Sequence, residues 1–222
     1  MPTKPYISKS NPKVLVIGHD PRLQKSDTIA EYSLFADYYF RTEPESGSEK
    51  RKFGIAKAVF DFVLEMTNRK ISVDEICVTN LCNENLPHAP KGKTVYIPEE
   101  KALKGIKEIK KILTEHPTIK LIFTMSLQVN YWLQKLNFYN GDNEFINLSE
   151  PFEKGIKNPL PYFEPKETRS FLKVCGNEYK VNDLPNISVF PVLHIKSYPL
   201  KGKFITYEKK YNGLVEKISI LF

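Results

Sequence analysis

Cysteine is scarce in this chain of 222 residues, which has only Cys77, Cys82 and Cys175. An odd number of cysteines without a CxxC pair argues against a disulfide framework and against a four-cysteine cluster, and it predicts reduced thiols. Long apolar runs are also missing, since none approaches the ~20 residues that span a bilayer. Residues 1–10 contain lysines but no apolar core, so neither a secretory signal nor a membrane anchor is predicted. We therefore expect a soluble, cytoplasmic protein.

The bulk composition is that of an ordinary globular protein, with 41% hydrophobic and 27% charged residues. The chain length fits one α/β domain, so residues 1–222 are predicted to form a single domain. Lysine and arginine number 33 against 26 acidic residues, which gives a net charge of +7. This excess favours a polyanionic partner such as nucleic acid.

Four short apolar runs alternate with segments of helical period. The runs cover residues 13–18, 75–81, 119–124 and 187–193, and the helical segments cover 52–67, 99–114, 126–136 and 207–221. Continuous apolar strands that alternate with amphipathic helices are typical of a parallel sheet covered on both faces. We therefore predict a three-layer α/β fold around a central, mostly parallel four-stranded sheet. Pro191 indicates an edge or irregular fourth strand, because proline cannot donate to a ladder.

Two segments interrupt this alternation. Residues 42–52 are polar, contain Pro44 and Gly47, and are predicted to form a loop. Residues 137–186 are rich in Asn, Gly and Pro and are interpreted as an insertion, with one possible hairpin over 169–181 around Gly176-Asn177.

Three polar residues follow or end separate predicted strands: Asp20 in GHDPR, Asn80 in VTNLC and His194 in LHIKSYPLKGKF. In an open parallel sheet, ligands bind outside the carboxyl ends of the strands, so we expect these three side chains to share one crevice. Each also has a plain structural interpretation. Asp20 with Pro21 makes a turn, Asn80 ties down the following loop, and a histidine at a strand end is commonly structural.

These residues resemble the motifs of the uracil-DNA glycosylase superfamily. Gly18-His19-Asp20-Pro21 is similar to the water-activating motif GQDPY, with His19 in place of Gln and Arg22 in place of Tyr. Asn80 resembles the uracil-reading Asn of the family. His194, with Ser197 and Gly202, resembles the HPSP leucine-loop motif, although Ile195 replaces its first Pro. The order of the motifs agrees across the chain outside residues 137–186.

The resemblance implies hydrolysis of the N-glycosidic bond of uracil or a related damaged base, after the target nucleotide leaves the stack. Asp20 would orient the water, and His194 would bond the base oxygen that gains negative charge. The implied base-binding residues are Asn80, His19, Phe35 and Arg22. The implied DNA-facing residues are Lys196, Ser197, Leu200, Lys201 and Lys203.

Several details of this assignment stay open. Leu200, Tyr198 or Ile195 would fill the space left by the flipped nucleotide. Phe35 either stacks on the base or packs in the core, and Arg22 either reads a base larger than uracil or lies on the surface. The partner would be single- or double-stranded DNA, bound by a monomer without metal or cofactor, near the nucleoid if the protein repairs DNA.

Two other functions fit the same residues. A protein of this fold would recognise uracil or damaged DNA without cutting it if catalysis has been lost. A small-molecule nucleotide or sugar hydrolase is the second alternative, and the absence of GxGxxG and GxxxxGK[ST] motifs counts against it.

Overall fold

The structure is a computed structural model. It describes residues 2–9, 11–19, 30–86, 94–151, 162–163, 165–167, 169–193 and 205–222, and for 162, 205–210 and 212 it describes the backbone alone.

A mostly parallel sheet of five strands forms the centre of the molecule, in the order β2-β1-β4-β7-β6. Its strands are β1 (Val14–Gly18), β2 (Ile76–Asn80), β4 (Leu121–Met125), β6 (Tyr179–Val181) and β7 (Leu184–Val192). Strands β1, β2, β4 and β7 run parallel to one another, and β6 pairs antiparallel with β7. The predicted α/β class is thus confirmed, whereas the sheet has five strands rather than four. A separate antiparallel pair joins β3 (Thr94–Val95) and β5 (Tyr162–Phe163).

The four predicted long helices are confirmed. They are α1 (Gly47–Met66), α2 (Glu99–Glu115), α3 (Leu127–Lys135) and α6 (Ile205–Ser219). Two shorter helices, α4 (Asn143–Ser149) and α5 (Phe171–Val174), and two 3-10 helices, Ser33–Phe40 and Val73–Glu75, complete the described elements. Helix α1 begins inside the segment predicted as a loop. Ser126 caps α3, since its Oγ accepts from the Val129 N–H at 3.5 Å.

The sheet separates two hydrophobic clusters because successive strand residues point to opposite faces. Leu15, Ile17 and Cys77 pack with α2 and α3 on one face. Val16 and Val78 pack with α1 and α6 on the other. The predicted burial of the strands on both faces is therefore confirmed.

The segment predicted as an insertion contributes to this core. Phe138 and Tyr139 are wholly buried in the α2–α3 cluster. Strand β6 turns into β7 at residues 182–183, so the hairpin predicted around Gly176-Asn177 is wrong. The chain there instead ends the short helix α5, with Gly176 in the left-handed region at φ 74°.

Pro191 lies in an inner strand, so the edge alternative predicted for it is wrong, whereas the pairing of this strand with β6 is irregular, with a register shift between Lys180 and Val181. Strand β6 pairs with β7 only as far as Val189, so Pro191 lies beyond the end of β6. On this side its carbonyl accepts from the Gly176 N–H at 2.8 Å. Its missing donor therefore removes no β6–β7 ladder bond.

Candidate functional site

The carboxyl ends of four parallel strands lie along one edge of the sheet. Gly18 and Asn80 end β1 and β2 as partners in register, and Met125 and Val192 end β4 and β7 as another such pair. Ligands bind beyond this edge in open α/β sheets. The edge is therefore where a functional site is expected.

Three of the predicted site residues fall in the part of the chain that the structure describes: His19, Phe35 and Asn80. The others lie outside the described residues: Asp20, Arg22, His194, Lys196, Ser197, Leu200, Lys201 and Lys203.

Asn80 is the most informative of the three because it is 1% exposed and its side chain makes no hydrogen bond to the described residues. Both Oδ1 and Nδ2 are buried, and neither has a hydrogen-bond partner among the described residues. A buried polar group left unpaired costs about 1–3 kcal/mol. Tying down the next loop does not explain this side chain, since an anchoring amide would use its donor or acceptor. An unpaired buried amide calls for an explanation, and at this edge of the sheet it is a candidate ligand-binding group.

Gly18 makes room for this amide. A Cβ on Gly18 would lie 2.5 Å from Asn80 Oδ1 and 3.0 Å from Leu34 Cδ1. Contacts under 3.0 Å between a Cβ and another heavy atom require one of the two to move. The glycine that opens the GHDP motif is therefore matched to the amide on the neighbouring strand.

The 3-10 helix Ser33–Phe40 places strained backbone next to Gly18. Leu34 and Phe35 are consecutive residues in the left-handed region, with φ of 52° and 57°. Such conformations cost of order 1–3 kcal/mol each and persist only where the surroundings impose them. The helix packs against β2, which ends at Asn80. Strain and an unpaired amide therefore occur together beside Gly18.

Phe35 is held by an aromatic and charged cluster. Its ring meets Tyr38 edge-on, with centroids 6.1 Å apart. The Arg41 guanidinium lies 3.9 Å and the Lys52 ammonium 5.5 Å from the centroid of the Tyr38 ring. Burial, together with a hydrogen bond to Glu49, raises the pKa of Tyr38. Phe35 is buried in this cluster, as its core-packing interpretation requires, and its stacking on a base stays a prediction.

His19 points away from Asn80. Its Nε2 lies 2.6 Å from Nε2 of Gln128 on α3, which packs on the α2–α3 face of the sheet. Asn80 lies on the α1–α6 face, beside Leu34. The side chain of His19 and the amide of Asn80 therefore lie on opposite faces of the sheet, although both residues are at its carboxyl edge.

Gln128 and Leu34 are the members of this region that sequence reasoning missed. Gln128 lies in the first turn of an amphipathic helix, where a buried glutamine has no pattern of its own. Leu34 was overlooked because nothing in its sequence context indicates a left-handed backbone for a leucine. Sequence reasoning could have used Gly18, because a glycine at the end of a buried strand often marks a place where another group approaches the backbone closely.

A second buried polar network lies where β4 meets α3. Asn130 Oδ1 accepts from the Thr124 hydroxyl and from the Tyr139 hydroxyl, both at 2.6 Å. Its Nδ2 donates to the Ser126 carbonyl at 2.8 Å. Every polar atom of this asparagine side chain is therefore paired, in contrast to Asn80.

Within the described ranges, no group of three or more His, Cys, Asp or Glu side chains is arranged to hold a metal ion. Likewise, none of the described helices is long and apolar enough to cross a membrane. No protein-family model matches this chain, and no curated protein is significantly similar to it in sequence.

Proposed function

We propose that this protein is a DNA glycosylase that hydrolyses the N-glycosidic bond of uracil or a related damaged base. The observation that carries the proposal is the unpaired, buried amide of Asn80 at the carboxyl edge of a mostly parallel sheet. The resemblance of GHDP and of the His194 segment to glycosylase motifs supports it.

The chemistry of an asparagine amide matches the edge of a uracil base. Uracil presents an N3–H donor beside the O4 acceptor, whereas the amide presents the acceptor Oδ1 beside the donor Nδ2. A bound uracil would pair both groups of Asn80 at once. Each group that is buried and unpaired would then gain a hydrogen bond, which makes recognition of this edge favourable.

Hydrolysis would use two residues that follow strands of the same edge. Asp20 is the second residue after β1, and His194 is the second after β7. A water oxygen would bond to C1′ of the sugar while the C1′–N1 bond breaks and its electron pair leaves with the base. The Asp20 carboxylate would orient that water and take its proton, and His194 would donate to the base oxygen that gains charge.

The test is incubation of the protein with single- and double-stranded oligonucleotides that contain uracil, thymine mismatches or oxidised pyrimidines. Abasic sites are detected by strand cleavage in alkali. We expect abasic sites at one or more of these bases and none in unmodified DNA. Absence of abasic sites on every substrate would contradict the proposal, and tight binding without cleavage would favour the non-catalytic alternative.

Two variants assign the roles. Asp20→Asn should lower the rate of excision by several orders of magnitude while DNA binding survives, because the carboxylate acts mainly in the transition state. Asn80→Asp should lose excision of uracil, since a carboxylate has no donor for O4. Unchanged excision by either variant would remove that residue from its proposed role.

A further inference from the structure

The orientation of the Gln128 amide is set by the backbone around it. Gln128 is 1% exposed, and its Oε1 accepts from the Ile97 N–H at 2.6 Å. Its Nε2 donates to the Val95 carbonyl at 2.8 Å. A carbonyl requires a donor and an N–H requires an acceptor, so these two partners leave no freedom to exchange the amide oxygen and nitrogen.

This orientation decides the tautomer of His19. The second hydrogen of the Gln128 amide nitrogen is directed at His19 Nε2, 2.6 Å away. An N–H group can bond only to an imidazole nitrogen that carries no proton. His19 Nε2 must therefore be an acceptor, and in the neutral ring the proton lies on Nδ1.

We infer that Gln128 and His19 form a positioning pair, in which the fixed amide holds His19 as the Nδ1–H tautomer and thereby anchors the chain directly before Asp20. His19 is bonded on its backbone as well, since its carbonyl accepts from the Cys82 N–H at 3.1 Å. Side-chain and backbone bonds together tie this residue to α3 and to the segment after β2. The side chain of His19 acts in this arrangement as an anchor rather than as a reader of the base.

The tautomer is tested without any assay of activity. Nitrogen-15 NMR distinguishes protonated from unprotonated imidazole nitrogens, and the spectrum of His19→Gln identifies the His19 signals among the four histidines. We expect the unprotonated nitrogen of His19 to be Nε2 near neutral pH. A proton on Nε2 in the native protein would overturn the inference.

Gln128→Glu provides a second test, in which a proton on Nε2 of His19 is expected. A carboxylate in place of the amide presents an oxygen to His19 Nε2, and this favours the doubly protonated ring. We expect both nitrogens of His19 to be protonated in this variant. Gln134→Glu is the matched control, because Gln134 is also buried on α3 but bonds Tyr139 and the Asp142 backbone. An unchanged His19 spectrum in Gln128→Glu would contradict the pairing.

The positioning role rests on the proposed function and is tested by excision kinetics. His19→Gln keeps an acceptor for the Gln128 amide and should lose less kcat than His19→Leu, which removes that acceptor. Because a displacement of ~1 Å can lower a rate about 10²-fold, we expect His19→Leu to lose about that factor in kcat with KM unchanged. Equal kcat for the two variants would overturn the positioning role. If no variant and no native protein excises a base, the proposed function fails while the tautomer result stands.

Discussion

Asn80 Oδ1 occupies the space that a side chain on Gly18 would need, at 2.5 Å from the position of a Cβ. The two residues are register partners at the carboxyl ends of β1 and of β2, which is an edge strand of the sheet. The backbone of one strand and the amide of the next thus form a matched pair. The side chain of Asn80 has no hydrogen-bond partner among the described residues, and we propose that it binds a ligand.

Gly18→Ala should therefore damage function more than folding. The added methyl displaces the Asn80 amide and presses on Leu34, and such overpacking costs about 1–3 kcal/mol. We expect uracil excision to fall at least as far as in Asn80→Ala, while chemical denaturation still shows one cooperative transition. Native-like excision by Gly18→Ala would show that the amide does not contact the base.

Replacing Asn80 by Leu should remove recognition without loss of stability. Exchanging an unpaired buried amide for an apolar group of similar size relieves a penalty of about 1–3 kcal/mol. We expect the free energy of unfolding to stay equal or to rise, and uracil excision to disappear. Urea denaturation and the oligonucleotide assay measure the two effects.

Asn130→Leu is the matched control for that substitution. Asn130 is equally buried but fully bonded, so its loss leaves the Thr124 and Tyr139 hydroxyls and the Ser126 carbonyl without their partner. We expect a loss of about 1–3 kcal/mol or more in this variant. Equal destabilisation by both leucine variants would contradict the contrast between the two asparagines.

Gly105→Ala tests a close approach of helix α2 to the backbone that directly follows β2. A Cβ on Gly105 in α2 would lie 1.7 Å from the Leu81 carbonyl oxygen, which belongs to the backbone and cannot rotate away. We expect a loss of about 3 kcal/mol or more of unfolding free energy. Gly54→Ala in α1 is the control, because nothing lies within 4 Å of its added methyl and alanine is favoured in helices by about 1 kcal/mol. Stability equal to the native protein in Gly105→Ala would show that α2 can shift outward.

Alkaline pH should lower the free energy of unfolding, because the Cys77 thiol is buried. Burial raises the pKa of its thiol from an ordinary value of 9.0 to about 11. In the unfolded chain the thiol ionises at lower pH, so its contribution to stability is complete below pH 9 and is lost as the pH rises towards 11. At ~1.4 kcal/mol per pH unit, the loss amounts to about 2–3 kcal/mol.

Cys77→Ala removes that contribution and keeps the other alkaline titrations. We expect the free energy of unfolding of the native protein to fall more steeply between pH 9 and pH 11 than that of the variant. Urea denaturation at three pH values in this range measures the difference. Parallel curves would show that water reaches the thiol in the folded protein.

The basic residues near His194 should govern the salt dependence of DNA binding. Replacement of Lys196, Lys201 and Lys203 by alanine removes up to three phosphate contacts. Each contact contributes ~0.9 to the slope of log affinity against log salt on duplex DNA. We expect the slope to decrease by up to about 3 in a fluorescence-anisotropy titration.

A second triple variant controls for the loss of net charge. Lys70, Lys111 and Lys120 are exposed and lie near the amino ends of the strands, away from the candidate site. Their replacement by alanine should leave the slope nearly unchanged. Equal effects of the two triple variants would show that the DNA surface lies elsewhere or is diffuse.

Local pattern was sufficient for much of the fold. Apolar runs bounded by turn residues predicted four of the five strands, because such runs reflect burial of both faces of a strand. Helical period predicted the four long helices, because it reflects burial of one face of a helix. Strand β6 falls in the second half of the hairpin predicted over 169–181, but it pairs with β7 rather than with a strand before Gly176. The hairpin was misplaced because Gly176-Asn177 indicated a turn between two strands, whereas this pair follows the end of the short helix α5.

The sequence by itself determined the α/β class and the placement of Asn80 at the end of a buried strand, since both depend on residue type and local order. Only the tertiary structure decided that the Asn80 amide lacks partners among the described residues, that Gly18 is matched to it, and that His19 is paired with Gln128 on the opposite face. These relations join residues that are 62 and 109 positions apart. They depend on strand register and on the packing of α3, which no local pattern encodes, because hydrogen-bond partners are chosen by geometry after the chain has folded.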